Sequence, residues 1–184
     1  MSKAKREIAL VTGGSRGIGA ATSVKLARSG YTVCVNYRSR KAEAIELVKG
    51  IQRAGGDAFS IQADISDEAS VVSLFSAIDA KKLPLTCLVN NAGILFTQCR
   101  LEDMTAARIN DVLMANVTGS FLCAREAVRR MSLERGVKRV IVNVSSGASK
   151  RGRLMNTWTM PQVRVLLIRS LLVWRKRLQR RGFA

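Results

Sequence analysis

Five short apolar runs punctuate the first 144 residues: Ile8–Val11, Thr32–Val35, Ala58–Gln62, Cys87–Val89 and Arg139–Val144. None shows the polar/apolar alternation of a half-solvated strand, so each reads as a strand covered on both faces. Between them lie segments with helical spacing: Ile18–Arg28, Lys41–Ala54, Asp67–Asp79 with Ser66 as its expected cap, and the long Thr105–Met131. The last carries Ile109, Val112, Leu113, Val117, Phe121, Leu122 and Val128 on or near one face. Strands alternating with helices require a parallel sheet with helices on both sides. Right-handed crossovers then make it doubly wound, with its ligand crevice at the carboxyl ends of the strands.

Composition narrows the chemistry. The chain has 184 residues and no histidine, which excludes His-based triads, His general bases and most zinc sites. No metal site is expected. The four cysteines, Cys34, Cys87, Cys99 and Cys123, lack CxxC spacing and read as reduced, mostly core residues of a cytoplasmic protein. The N-terminal segment does not read as a signal peptide, and no run reaches the ~20 apolar residues of a membrane span. The net charge is +18, yet ten of the 31 basic residues and none of the 13 acidic ones lie between Lys150 and Ala184. A nucleic-acid-binding domain spreads its cations over a folded face. Here two compositions are joined end to end: a domain over 1–149 and a basic tail over 150–184 with no predicted fold.

The first strand runs into Thr12-Gly13-Gly14-Ser15-Arg16-Gly17-Ile18-Gly19 and then a helix. Glycines in such a turn let backbone approach a phosphate, and the helix N-terminus offers N–H groups and a positive dipole end. The spacing Gly13, Gly17, Gly19 resembles that of the classical short-chain dehydrogenase/reductase family. So do Asp64-Ile65 after strand 3, Asn90-Asn91-Ala92-Gly93 after strand 4, Asn116 in Met114-Ala115-Asn116-Val117, and Val142-Asn143-Val144-Ser145-Ser146. The likeness implies a Rossmann-like α/β fold with strand order 3-2-1-4-5, left incomplete at the C-terminus. It implies catalytic roles for Ser146 and Asn116. It implies cofactor contacts from Gly13, Ser15, Arg16, Gly17, Ile18, Gly19, Tyr37, Arg38, Asp64, Ile65, Asn90, Ala92 and Gly93. It also implies hydride transfer between a nicotinamide cofactor and a small carbonyl or alcohol substrate.

The choice of cofactor can be argued from charge. An NAD site places a carboxylate at the end of strand 2 for the ribose 2′-hydroxyl. The segment Tyr31 to Arg40 contains no Asp or Glu, while Arg38 follows the strand and Arg16 sits in the glycine turn. Two guanidiniums suit the 2′-phosphate of NADP rather than NAD.

In the resembled family a tyrosine and a lysine four residues later follow the serine, and here they would fall near Thr159 and Met160. The chain's tyrosines are Tyr31 and Tyr37; the one Tyr-x-x-x-Lys, Tyr37 to Lys41, lies far upstream of the serine, and none follows Ser146. Read one base out of frame, the codon junctions Met155/Asn156, Trp158/Thr159 and Met160/Pro161 must encode Glu, Asp and Ala. The intervening junctions permit Glu-Tyr-Val-Asp-Tyr-Ala-Ala-Ser-Lys, which restores the motif. The expectation is therefore a family chain whose frame shifts near Arg151–Leu154, truncating it. It would keep its nucleotide half, lose its acid–base pair and lose the family's homo-oligomer interface. Two other readings stand beside it: a working enzyme in which Lys150 replaces the tyrosine, and a non-enzymatic remnant whose tail binds RNA or an anionic membrane. No specific nucleic-acid or membrane partner is expected.

Overall fold

The computed structural model describes residues 6–97, 99–131 and 139–145. Five parallel strands form one sheet: β1 (Ile8–Val11), β2 (Thr32–Tyr37), β3 (Asp57–Gln62), β4 (Leu85–Asn90) and β5 (Val140–Asn143). Their order is β3-β2-β1-β4-β5, as expected. β1 lies in register with β2 from Ile8↔Thr32 to Val11↔Val35. β4 meets β5 from Cys87↔Val140 to Asn90↔Asn143.

β1, β2 and β3 each lead into one helix, and the pleat sends the strand residues to two separate cores. Ile8 and Leu10 of β1 face one side with Cys34 and Leu88, against α3 (Glu68–Asp79) and α5 (Gly119–Met131). Ala9 and Val11 face the other with Val33, Val35 and Val89, against α1 (Gly17–Arg28) and α2 (Lys41–Arg53). The largest fully buried side chains are Phe75, Ile8, Leu10, Leu74, Ile78, Leu88 and Met131. Burying one such side chain stabilises by about 1.5–3 kcal/mol, enough to fix which face of each strand looks where. Cys34, Cys87 and Cys123 are in these cores; burial pushes the thiols of Cys87 and Cys123 up to about 11 and about 12. At neutral pH they stay protonated and unreactive.

Two local expectations are corrected. The cap of α3 is Asp67, whose carboxylate accepts from the Ser70 N–H at 2.9 Å. Ser66 is spent elsewhere, donating its hydroxyl to Asp64 Oδ1 at 2.6 Å. The long helix is also not regular. Thr105 caps α4 (Ala106–Leu113), a π-helical turn spans Met114–Thr118, and α5 continues from Gly119.

Gly50 sits inside α2, and a Cβ built there meets nothing within 4 Å. Glycine in a helix interior loses about 0.5–1 kcal/mol to alanine through backbone entropy. Gly50→Ala is therefore expected to stabilise the chain by about that amount, read as a higher midpoint in urea unfolding with unchanged slope.

Candidate functional site

Three loops leave the carboxyl ends of β1, β2 and β4, and three polar side chains tie them together. Thr12 is fully buried; its hydroxyl donates to the Val89 carbonyl at 3.3 Å and accepts from the N–H groups of Asn91 and Ala92 at 3.0 and 3.1 Å. Asn91 returns its amide to the carbonyls of Thr12 and Gly13, both at 3.0 Å. Asn36 accepts from the Gly13 N–H at 3.3 Å and donates to the Ala63 carbonyl at 3.0 Å. Buried polar groups satisfied on every side hold the loops in one arrangement.

The glycines of the first loop are required by this geometry. Gly13 has φ +59°, and a Cβ there would lie 2.9 Å from the Ala92 Cα. Gly19 lies on the first turn of α1, where a Cβ would come within 2.5 Å of the Gly13 carbonyl oxygen and 2.6 Å of Asn91 Nδ2. The bare backbone thus brings the helix start down onto the loop. The resulting cleft holds about 600 Å³, in the range of sites for small molecules and cofactors.

Most sequence-predicted cofactor residues meet in this cleft. Gly13, Ser15, Arg16, Gly17, Ile18 and Gly19 line one wall, Tyr37, Arg38, Asp64 and Ile65 the second, and Ala92 and Gly93 the third. Asn36, Ser39, Arg40, Asn91, Ile94 and Ala115 join them. Arg40 was missed although it stands two residues after Arg38. Asn36 was missed because a polar residue after Val35 reads as the end of a strand.

The second wall is charged asymmetrically. Its cations are Arg38 and Arg40, with Arg16 on the first wall, and its one carboxylate is Asp64. That carboxylate accepts from both the N–H and the hydroxyl of Ser66, and lies 3.7 Å from Arg38 Nη1. β2 ends at Tyr37 and passes directly to Arg38, so no carboxylate stands at its tip.

Two expected residues are turned away from the cleft. Asn90 is buried, donating to the Ser120 carbonyl at 3.2 Å and to Asn143 Oδ1 at 3.0 Å, which joins the ends of β4 and β5. Asn116, 1% exposed in the π-helical turn, accepts from the Ile94 N–H at 2.7 Å and donates to the Ile94 carbonyl at 3.0 Å. Here it clamps the loop that follows Gly93. Ser146, Lys150 and the basic tail lie outside the described residues, as does the boundary expected at residue 149. Among the described residues no three His, Cys, Asp or Glu side chains group to hold a metal, and no helix is long and apolar enough to cross a membrane.

The family model for short chain dehydrogenases matches residues 7–158. An oxidoreductase of Escherichia coli, YgfF, itself uncharacterized, is 62% identical over 146 residues, covering 79% of this chain and 59% of that protein. Elsinochrome reductase 1 of Elsinoe fawcettii is 36% identical over 149 residues, covering 81% and 55%. The chain thus spans less than two thirds of these relatives' length. Among solved structures, a short chain dehydrogenase of Burkholderia cenocepacia in complex with NADP superposes with a TM-score of 0.88 at 32% identity, over 98% of this chain and 71% of that one. The Serratia marcescens short-chain dehydrogenase/reductase also gives 0.88, at 28% identity, over 97% and 71%. A parallel sheet in the order β3-β2-β1-β4-β5, a glycine cradle at its carboxyl edge and these likenesses together make the chain a member of the short-chain dehydrogenase family.

Proposed function

We propose that this chain binds NADP through its first 145 residues and descends from an oxidoreductase acting on a small carbonyl or alcohol, with its own turnover crippled. The observation that carries the nucleotide reading is the tip of β2. Arginines stand there in place of a carboxylate, and Arg16 faces the same cleft. A 2′-phosphate is a strong acceptor that guanidiniums bind with paired, charge-assisted hydrogen bonds. Gly13 and Gly19 support a pyrophosphate, because any Cβ at either would fill the space the backbone needs. When bound, the nicotinamide supplies hydride transfer. This chain's residues would hold the cofactor: Arg16, Arg38 and Arg40 would take the 2′-phosphate, and Ile18 and the Asn116-clamped Ile94 loop line the remainder of the cleft.

What the sequence does not carry after Ser146 is the family's tyrosine–lysine pair. Tyr37 is 6% exposed at the end of β2, on the cleft wall it shares with Arg38 and Asp64. Tyr31, the other tyrosine, directly precedes β2 at the end where that strand begins. The family match ends at residue 158, beside Thr159, where the missing tyrosine would fall. Losing general acid–base chemistry costs roughly 10²–10⁴-fold in rate. We take the residues beyond about Arg151 to be read out of frame. Sequencing the gene tests this: the Thr159 codon must end in T, and the Val163 codon in A.

Binding is tested by calorimetric titration. NADP is expected to bind in the micromolar range and more tightly than NAD. Arg38→Gln is expected to weaken NADP about tenfold while leaving NAD within about twofold, since a charge-assisted hydrogen bond contributes about 1.5 kcal/mol or more. Equal affinities for the two cofactors in the unaltered chain would overturn the reading. Steady oxidation of NADPH with a small dicarbonyl, lost on Ser146→Ala, would overturn the claim of crippled turnover.

A further inference from the structure

We propose that Glu43 sets the strength of the preference for NADP over NAD, by holding Arg40 in the free protein and competing with the 2′-phosphate for it. The inference rests on the NADP reading above and adds a residue of opposite charge to it.

Arg40 occupies the N-cap position of α2 and lines the cleft. Its Nη1 lies 3.1 Å from Glu43 Oε1, one helical turn on. Both side chains are wet, 57% and 44% exposed, so the pair is weak and readily exchanged. Three sources of positive charge converge on that carboxylate. Its own backbone N–H, in the first turn of α2, then the Arg40 and Arg16 guanidiniums, hold it below the usual carboxylate range. Arg40 makes no side-chain capping bond at the start of α2, and Glu43 is the acidic residue of its first turn.

A cofactor 2′-phosphate would draw on the same cations. It carries about −1.5 to −2 charges and three acceptor oxygens, against one charge and two oxygens for Glu43. Arg40 therefore turns from Glu43 to the phosphate. Glu43 then lies beside a dianion without its partner, and that repulsion subtracts from NADP binding. NAD has no phosphate at this position and leaves the pair intact. Removing the carboxylate thus separates the two cofactors, which neither a general change of fold nor a damaged glycine cradle would do.

The full chain is titrated calorimetrically with NADP and with NAD, as the unaltered protein, as Glu43→Gln and as Glu43→Ala. Glu46→Gln serves as the control, because Glu46 also lies on α2 but pairs with Arg53. Expected is a tightening of NADP by about threefold to tenfold in both Glu43 variants, with NAD moved by less than about twofold and Glu46→Gln moving neither. In an Arg40→Gln background the gain from Glu43→Gln shrinks, because the partner that both anions share is gone. Equal shifts for NADP and NAD, or no shift in the NADP affinity, overturn the role of Glu43. Failure of the NADP reading itself is visible earlier, as equal affinities in the unaltered chain, and takes this inference with it.

Discussion

Gly19→Ala is expected to abolish measurable nucleotide binding and to cost the fold about 2–4 kcal/mol. The added methyl would meet the Gly13 carbonyl oxygen at 2.5 Å, Asn91 Nδ2 at 2.6 Å and the Gly14 Cα at 3.0 Å. Two of these are backbone, and the third is pinned. Asn91 donates to the carbonyls of Thr12 and Gly13, and moving it breaks both bonds. The methyl must therefore lift α1 off the loop, which opens the turn that would hold a pyrophosphate. Gly17 provides the contrast. Its φ is +53° but a Cβ there meets nothing within 4 Å, so Gly17→Ala carries a backbone penalty of only about 1–2 kcal/mol. Urea unfolding and NADP titration of the Gly19 variant check the claim. A variant that binds NADP like the parent would show that the loop has room the geometry denies.

Glu126→Ala is expected to destabilise by about 2–3 kcal/mol, through charge rather than volume. The Glu126 side chain is 5% exposed and accepts from Arg125 Nε at 3.2 Å, Arg129 Nη1 at 2.7 Å and Arg130 Nη1 at 2.8 Å. Arg130 also holds Asp79 with its Nε at 2.9 Å from both carboxylate oxygens and lies over the Phe75 ring at 5.0 Å. Arg125 reaches Glu68 at 2.7 Å. Glu126 is thus the hub that joins α5 to both ends of α3. The cost stays below that of a fully buried pair because Arg125 and Arg129 are 38% and 63% exposed and can turn to water. Burial pushes the Glu126 carboxyl up, but the guanidiniums of Arg130, Arg129 and Arg125 outweigh it and hold it below its ordinary value. A carboxyl lowered in the folded state adds stability that is whole above the unfolded value, about 4.3, and is lost as pH falls through the folded one. Urea midpoints followed from pH 7 downward should therefore drop in the parent below about pH 4.5, and less steeply in Glu126→Gln.

The layered order of strands and helices was legible because β1, β2 and β4 are buried along their whole length, and such runs stand out in any sequence. β3 and β5, expected to be covered on both faces, are the sheet's outer strands and stay partly exposed, with Val142 43% exposed. Where a buried strand position is polar, legibility failed. β2 continues through Asn36 and Tyr37 past the apolar run that ends at Val35, because Asn36 finds partners in the neighbouring loops. β4 extends from Leu85 to Asn90 around the shorter Cys87–Val89, with Thr86 1% exposed and bonded to Glu7 at 2.8 Å. The cap of α3 fell on Asp67 because Ser66 was already claimed by Asp64, a tertiary choice that local pattern does not contain. The π-helical turn at Met114–Thr118 is likewise invisible to a 3.6-residue period. In the cleft, residue types announced the cradle and the arginines. The pairing of Arg38 with Asp64 depends on how the end of β3 is set beside β2, and that of Arg40 with Glu43 on where α2 begins.

The place of β1 in the sheet has a consequence for how the chain is made. Of the five described strands it is made first, yet one of its flanks waits for Leu85, more than seventy residues later. Until then β1 can pair only with β2, and the hydrogen-bonding groups on its other side are open to any extended segment that arrives. Partners so distant along the chain close slowly, and open strand flanks invite wrong partners. Chaperone demand in this fold should therefore peak while synthesis is passing from β3 to β4.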